Sequence, residues 1–173
     1  SLEGGADCIS FASGQAATLA IFHSLKTGDH VILPDDIYYG TKVLLQNHFS
    51  RWGLEYTVVD MTNLDLLSRT IKSNTALIWI ETPSNPSLKI TDITEVVSLA
   101  KSRGILTACD NTWASSFFCK PLDLGIDFVM HSTTKYFGGH SDITGGCIIT
   151  GENNEQTKVI RDFQILGGGV PSP

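Results

Sequence analysis

Seven short apolar runs, separated by segments with helical patterns, constrain the fold of this chain more than any other feature. Runs such as TALIWIE and GILTACD are rich in β-forming residues and are typical of strands that are buried on both faces. We predict strands at residues 8–12, 30–33, 54–59, 75–81, 105–110, 126–131 and 146–150. The spacing of apolar residues predicts helices at residues 14–25, 42–52, 63–71, 93–102 and 154–166.

Strands that alternate with helices are joined by right-handed crossovers and pair mostly in parallel. The predicted fold class is therefore α/β, with a mostly parallel (mixed) seven-stranded sheet and helices on both of its faces. A sheet of that size in 173 residues leaves little room for a second domain. The chain contains no internal repeat, low-complexity tract or linker.

Charge and composition exclude several classes of protein. A formal net charge of −6 argues against nucleic acid as the main partner, because phosphate binding requires a basic face. No apolar run is long enough to span a bilayer, so we expect no membrane partner. The five histidines and four cysteines show neither metal-ligand spacing nor a C-x-x-C pair, so we expect no metal. Reduced, buried thiols at Cys8, Cys109 and Cys147 would be typical of a cytoplasmic protein.

Polar segments follow the predicted strand ends. In an open parallel sheet, ligands bind beyond the carboxyl ends of the strands. The segments in question read SGQA, PDDIYYGT, TPSNPS, DNTWASS and STTKYFGGHSD. We therefore expect their lysine, acidic, amide, aromatic and hydroxyl side chains to converge on one rim of the sheet.

Two charged residues at this rim have more than one interpretation. Lys135 is either an ordinary solvated charge or an amine nucleophile placed beside a ligand. Asp110 closes an apolar strand, where a carboxylate needs a cationic or hydrogen-bonding partner. It is a candidate metal ligand, general base or partner of a protonated ring nitrogen, and the alternative is a turn or cap aspartate.

Hydroxyl and glycine residues at the rim suggest a phosphate site. The pair Ser13 and Gly14 leads from a strand into a helix, where exposed N–H groups and the helix dipole favour an anion. Ser132 and Thr134 can add hydroxyl donors. Each of these residues is also compatible with ordinary capping or turn chemistry.

The remaining candidates are aromatic and amide side chains. Tyr38 or Tyr39 can stack on an aromatic cofactor and supply a phenol for proton transfer, or can be a packed loop tyrosine. Asn85 can hydrogen-bond a ring oxygen or serve as a turn residue. A lysine, an aspartate and a phosphate cradle on one rim are the components of a pyridoxal 5′-phosphate (PLP) site.

Taken together, these segments resemble the trans-sulfuration, or Cys/Met metabolism, family of fold-type-I PLP-dependent enzymes, and in particular its cystathionine γ-synthase and γ-lyase members. The resemblance extends over nearly the whole chain. Its most specific element is STTKY with the downstream GHSD, and it is carried by LEGGADC, SGQAA, YYGT, ETPSNP, DNTW, HSTTKYFGGHSD and GGVPSP.

The resemblance implies a role for each candidate residue. Lys135 is similar to the lysine that holds the cofactor covalently and moves protons at the substrate carbons. Asp110 is similar to the carboxylate that keeps the pyridine nitrogen protonated. The other implied roles are stacking and catalysis by Tyr38, contact with the ring hydroxyl by Asn85, and phosphate binding by Gly14, Gln15, Ser132 and Thr134.

The sequence departs from the family pattern in three places. The family commonly has Tyr-Gly-Gly-Thr where this chain has YYGT, so Tyr39 competes with Tyr38 for the stacking role. Methionine γ-lyases usually carry a cysteine at the position of Gly40, which disfavours that activity. Gln15 stands where methionine or leucine is common, a change that a backbone donor tolerates.

Members of the family are longer than this chain. They have an N-terminal segment that reaches the phosphate of a neighbouring subunit, and a C-terminal small domain with an arginine for the substrate carboxylate. We therefore expect residues 1–173 to form the PLP-binding large domain alone, with both other regions absent. A homo-oligomer, dimer or tetramer, is expected for the full-length form.

The implied substrate is a small amino acid, and the implied activity is γ-elimination or γ-replacement on cystathionine or O-acylhomoserine. Alternatives within the family are cystathionine β-lyase and O-acylhomoserine sulfhydrylase. An alternative of another class is a truncated or degenerate, non-catalytic phosphate- or PLP-binding module, although SGQA is neither G-x-G-x-x-G nor a P-loop. A lyase that used Lys135 without a cofactor would leave Asp110 and the phosphate cradle unexplained.

Overall fold

A computed structural model describes residues 2–172, so the two terminal residues of the predicted 1–173 domain lie outside the described residues. The strands are β1 (Asp7–Phe11), β2 (His30–Pro34), β3 (Glu55–Val59), β4 (Thr75–Glu81), β5 (Leu106–Asp110), β6 (Phe128–His131) and β7 (Gly146–Thr150). They form one sheet in the order β1-β7-β6-β5-β4-β2-β3. β2 to β6 pair in parallel, whereas β7 is antiparallel to both β1 and β6. The predicted mixed seven-stranded sheet is confirmed.

Helices connect most of the strands. They are α1 (Gly14–His23), α2 (Tyr39–Leu44), α3 (Leu64–Thr70), α4 (Ile93–Lys101), α5 (Ser115–Phe118) and α6 (Glu155–Leu166). Four of them begin at a cap whose side-chain oxygen accepts a backbone N–H group from the first turn, namely Ser13, Asn63, Asp92 and Asn154.

Two parts of the helical prediction were incomplete. The helix predicted over residues 42–52 is α2 followed by a π-helical segment, Leu45–Phe49, and together they span residues 39–49, three residues earlier than predicted at each end. The apolar spacing of a π turn differs too little from that of an α-helix for a short pattern to separate them. The short helix α5 and the 3₁₀ turn Pro121–Leu124 were not predicted, because four residues carry too little periodicity.

Alternate residues of the strands pack on opposite faces of the sheet. On one face Leu77 and Trp79 of β4 lie in a core with residues of α1 and Ile160 of α6. On the other face Ile78 and Ile80 pack in a second core with residues of α3 and α4. Helices therefore cover both faces, which explains why the central strands read as continuous apolar runs.

The thiols only partly follow the prediction. All four cysteines are free, and Cys109 and Cys147 are buried, but Cys8 is exposed. The difference arises because β1 is an edge strand, so its alternate side chains face solvent. No helix in the described part of the chain is long and apolar enough to cross a membrane. Residues 2–172 contain no group of three or more acidic, His or Cys side chains arranged to hold a metal ion.

The topology brings distant segments to one rim. The carboxyl ends of β2, β4, β5 and β6 lie at the same end of the sheet because these strands are parallel. β1 also ends there, since it runs antiparallel to β7, and it leads directly into α1. The predicted convergence of the strand-end segments is thus a consequence of the strand order.

Candidate cofactor site

A cavity of about 940 Å³ opens at this rim. Eight candidate residues from the sequence line it, namely Gly14, Gln15, Tyr38, Asn85, Asp110, Ser132, Thr134 and Lys135. Strands β2 to β6 lie between Gly14 and Lys135 in sequence. The fold therefore brings these residues together from the ends of five different strands. The competing candidate Tyr39 is not among the residues that line the cavity.

The amino end of α1 forms one wall of the cavity. Ser13 caps this ten-residue helix, with its Oγ accepting the N–H group of Ala16 at 3.0 Å. The N–H groups of Gly14 and Gln15 have no partner inside the helix, because a first turn lacks preceding carbonyls. These two donors and the positive end of the helix dipole create a site for an anion.

Close packing fixes this helix end against the loop after β6. A Cβ atom on Gly14 would lie 2.9 Å from the Cβ of Ser132, and one on Gly146 would lie 2.2 Å from the carbonyl oxygen of Ser13. Both positions therefore require glycine. The contact holds Ser132 beside the free N–H groups of α1.

The two predicted hydroxyl donors have different surroundings. The backbone N–H of Ser132 donates to the hydroxyl of Thr112 at 2.8 Å, which leaves the Ser132 hydroxyl itself for a ligand. The hydroxyl of Thr134 donates to the carbonyl of Gly145 at 3.2 Å and accepts that residue's N–H at 3.0 Å. Thr134 therefore shapes the loop, and its proton is already engaged.

Lys135 lies in the turn that follows β6. Its backbone N–H donates to the carbonyl of Ser132 at 3.1 Å, and its carbonyl accepts the N–H of Gly139 at 2.8 Å. Within residues 2–172 its ammonium group has no hydrogen-bond or ion-pair partner. A lysine that lines a cavity with a free amine is available to a bound ligand.

Asp110 ends β5 and is 8% exposed. Burial raises the pKa of Asp110, while the hydroxyl and N–H of Thr112 and the nearby His131 oppose that rise. The N–H of Thr112 donates to its carboxylate at 2.9 Å. Asp110 forms no ion pair inside the described range, so its charge is only partly compensated. A cation placed in the cavity would complete that compensation.

Tyr38 also lines the cavity. It is the cap residue of α2, whereas Tyr39 is the first residue of that helix and is 76% exposed. A Cβ atom on Gly40 would lie 2.5 Å from Cε1 of Tyr38 and 2.8 Å from Nε2 of Gln15. The absence of a side chain at Gly40 thus gives the phenol ring its position.

Sequence reasoning missed Glu81. It ends β4 in the same way that Asp110 ends β5, and the two residues are register partners. Glu81 is 4% exposed, lines the cavity, and accepts the backbone N–H of Tyr38 at 3.1 Å. The signal that identified Asp110, a carboxylate closing an apolar strand, is equally present in TALIWIE and was sufficient to find it.

A buried polar network of Glu3, Asn111 and His131 lies next to the site in sequence and connects two of its strands. Oε1 of Glu3 is 2.5 Å from Nε2 of His131 and accepts the side-chain amide of Asn111 at 2.8 Å. That amide also donates to the carbonyl of Cys119. Because Asn111 follows Asp110 and His131 precedes Ser132, this network fixes the ends of β5 and β6 relative to each other.

Comparison with known proteins agrees with this architecture. A family model described as Cys/Met metabolism PLP-dependent enzyme matches residues 1–173. The chain belongs to that family. A cystathionine β-lyase of Bacillus subtilis is 49% identical over 169 residues, which cover 98% of this chain and 43% of the relative. A probable cystathionine γ-synthase of Herpetosiphon aurantiacus is 44% identical, with 99% and 54% covered.

Solved structures show the same fold. The crystal structure of cystathionine γ-lyase from Lactobacillus plantarum complexed with L-serine has a TM-score of 0.96 and 40% identity, and covers 99% of this chain and 45% of that one. The chain therefore spans about half the length of the relatives that it matches. The predicted cofactor, PLP, is that of the family.

The residues of the cavity fit this cofactor. PLP carries a phosphate, a pyridinium and an aldehyde, and the cavity offers a separate group for each. These are the free N–H groups at the start of α1, the only partly compensated carboxylate of Asp110 and the side-chain nitrogen of Lys135, which has no partner among the described residues. Trp113 and Tyr136 also line the cavity and are exposed, so they border its opening.

Proposed function

We propose that this chain is the cofactor-binding part of a trans-sulfuration enzyme that carries out γ-elimination or γ-replacement on cystathionine or an O-acylhomoserine. One observation carries the proposal. A free lysine amine and a buried carboxylate without an ion-pair partner among the described residues line the same cavity, and a helix amino end forms its wall.

PLP, when bound, supplies an electron-withdrawing ring that stabilises negative charge on the substrate carbons. Lys135 would hold the cofactor through Nζ, and its amine would accept the proton of the substrate Cα atom. The negative charge of Asp110 would keep a proton on the ring nitrogen. The same amine can deliver or remove a proton at Cβ, which γ chemistry requires and simple racemisation does not.

The remaining residues position these groups. The N–H groups of Gly14 and Gln15 and the hydroxyl of Ser132 bind the phosphate, which fixes the cofactor at one end. The ring of Tyr38 would stack on the cofactor, and its phenol could transfer a proton to or from the substrate. Asn85 would contact the ring oxygen. Thr134 acts through the backbone of Gly145.

The substrate is a small amino acid with a substituent on its γ-carbon. A second candidate is cystathionine β-lyase activity, which is favoured by the 49% identity to the cystathionine β-lyase of Bacillus subtilis. The two activities differ in which carbon–sulfur bond of cystathionine breaks. Cleavage at Cγ gives cysteine and a four-carbon keto acid, whereas cleavage at Cβ gives homocysteine and a three-carbon keto acid.

The proposal includes a homo-oligomer in the full-length form, a dimer or tetramer. Two large aromatic side chains of α5 are exposed. Phe117 and Phe118 are 85% and 82% exposed and pack edge to face with ring centroids 4.9 Å apart. Such a patch favours a contact between subunits. The free cysteines fit a reducing compartment, so we propose a cytoplasmic location.

Cofactor attachment provides the first test. Purified chain mixed with PLP is expected to absorb visible light, and borohydride is expected to fix the cofactor to Lys135, as read by peptide mass. Lys135→Ala should lose both signals, and Lys158→Ala, on the exposed face of α6, should keep them. Attachment to a different lysine would contradict the assignment.

Product analysis provides the second test. The PLP-loaded protein is incubated with cystathionine, and the keto acid is identified by mass spectrometry. Addition of an O-acylhomoserine with cysteine tests γ-replacement. A four-carbon keto acid or newly formed cystathionine supports the γ activity, and a three-carbon keto acid supports the β-lyase. PLP bound at Lys135 without any product would favour a non-catalytic binding module.

A further inference from the structure

Glu81 occupies a position that the proposed mechanism does not use. It lies at the carboxyl end of β4, next to Asp110 at the end of β5, and the two are register partners in parallel strands. Side chains of register partners in parallel strands leave the sheet on the same face. Both residues line the cavity, at 4% and 8% exposure.

Hydrogen bonds connect Glu81 to two other walls of the site. Its Oε2 accepts the backbone N–H of Tyr38 at 3.1 Å, and the backbone N–H of Asn85 also acts on this carboxylate. Glu81 therefore joins the loop after β2, which carries the ring proposed to stack, to the loop after its own strand. A single carboxylate thus links two of the loops that surround the cavity.

The charges that face Glu81 are mostly negative. Asp110 on β5 and Asp36 in the loop after β2 both act on it. Lys135 lines the same cavity, and His131 lies near Asp110. Burial, followed by the charge of Asp110, raises the pKa of Glu81 to about 8, against the two backbone N–H groups. Two ionised carboxylates side by side in a buried site are unfavourable without a cation.

We propose that Glu81 is a positioning residue of the cofactor site, and that the pair Glu81–Asp110 holds one proton that is released to solvent when the pyridinium of PLP binds. The proposal rests on the proposed function, since it takes Asp110 as the partner of the ring nitrogen. The bound cation replaces the proton, so the total charge of this end of the cavity changes little. Once ionised, Glu81 accepts the N–H groups of Tyr38 and Asn85 more strongly, which orders both loops around the ring.

The direction of the pH dependence follows from which state holds the proton. In the cofactor-free protein the pair is protonated below about pH 8. Binding lowers this pKa, so below that pH each bound cofactor expels a proton. Affinity is then expected to rise by about tenfold per pH unit as the pH approaches 8, and to level off above it.

The test uses pyridoxamine 5′-phosphate, which has the same ring and phosphate but no aldehyde to react with Lys135. Its dissociation constant is measured by titration calorimetry between pH 6.5 and pH 8.5 for the wild-type chain and for Glu81→Gln. Glutamine keeps the shape and one acceptor but cannot titrate. The plot of log Kd against pH should be shallower for Glu81→Gln by about one unit per pH unit below pH 8.

Two further variants complete the experiment. Glu55→Gln changes an exposed carboxylate at the opposite end of the sheet and should match wild type. Glu81→Asp keeps a titratable group and should retain the steep slope, which separates loss of the proton from general damage. Equal slopes for wild type and Glu81→Gln would overturn the inference. Absence of binding by wild type at every pH would instead overturn the proposed function.

Discussion

The carboxyl groups of Glu81 and Asp110 lie next to each other at the ends of two parallel strands, and neither forms an ion pair within residues 2–172. Both have a raised pKa, for which burial is the main cause. This arrangement is unfavourable in the cofactor-free protein and becomes favourable beside a cation. The pair therefore lowers the stability of the cofactor-free chain and raises the affinity of the site for a cationic ligand.

A first prediction concerns the stability of the cofactor-free chain. The pKa of Glu81 is higher in the folded state, about 8, than its ordinary value of 4.5, so its contribution to stability is lost as the pH rises toward 8. Glu81→Gln does not titrate. The free energy of unfolding of Glu81→Gln minus that of wild type should increase by about 2 kcal/mol between pH 6 and pH 8.5, as measured by urea denaturation.

The control for this prediction is Glu55→Gln. The hydrogen bond from Lys72 is the main cause that lowers the pKa of Glu55, so this carboxylate is ionised at both pH values. The difference in the free energy of unfolding between Glu55→Gln and wild type should therefore be the same at pH 6 and at pH 8.5. If the difference in the free energy of unfolding between Glu81→Gln and wild type were the same at pH 6 and at pH 8.5, Glu81 would already be ionised in the folded chain.

A second prediction separates the two neighbouring tyrosines. Tyr38 lines the cavity and Tyr39 does not, although they are adjacent in sequence and of the same type. Tyr38→Ala should weaken PLP binding by about tenfold, which corresponds to the ~1.4 kcal/mol of a lost aromatic contact. Tyr39→Ala should stay within about twofold of wild type. Absorbance titration with PLP measures both, and the reverse order would reassign the stacking role.

A third prediction tests the packing of the phosphate wall. In Gly14→Ala the new methyl group would lie 2.9 Å from the Cβ and 3.1 Å from the Cα of Ser132, so the helix or the loop must move. We expect a loss of about 1–3 kcal/mol in the free energy of unfolding and weaker binding of PLP. Gly151→Ala is the matched control, because its nearest neighbour, Cδ2 of Leu122, is 4.0 Å away. Equal stability of the two variants would show that the wall is pliable.

The sequence allowed the sheet and most residues that line the candidate site to be predicted because both depend on local patterns. A strand buried on two faces must be apolar throughout, so the central strands were visible, and five of the strand ends then marked segments of the rim. The choice between Tyr38 and Tyr39 depended on where α2 begins and on the space that Gly40 leaves, which a short pattern does not encode.

Long-range contacts explain what could not be predicted. Thr134 and Ser132 look equivalent in STTK, but only the Thr134 hydroxyl is engaged by Gly145, a residue of the following segment. Glu3 joins His131 and Asn111 across more than a hundred residues of chain, and nothing in LEGG indicates that partnership. Such roles depend on tertiary structure that brings the partners together.

A last prediction concerns Asp110 itself. Asp110→Asn keeps an oxygen that accepts the N–H of Thr112, so the turn should persist, but it removes the charge that we propose to pair with the ring nitrogen. We expect PLP binding to weaken by about 10–100-fold, the range of a hydrogen bond to a charged group of about 1.5–3 kcal/mol. Asp162→Asn, on the exposed side of α6, should bind as wild type does. Because the charge of Asp110 raises the pKa of Glu81, the same variant should also move the pH at which affinity levels off to lower values. An unchanged pH profile in Asp110→Asn would show that the two carboxylates titrate independently.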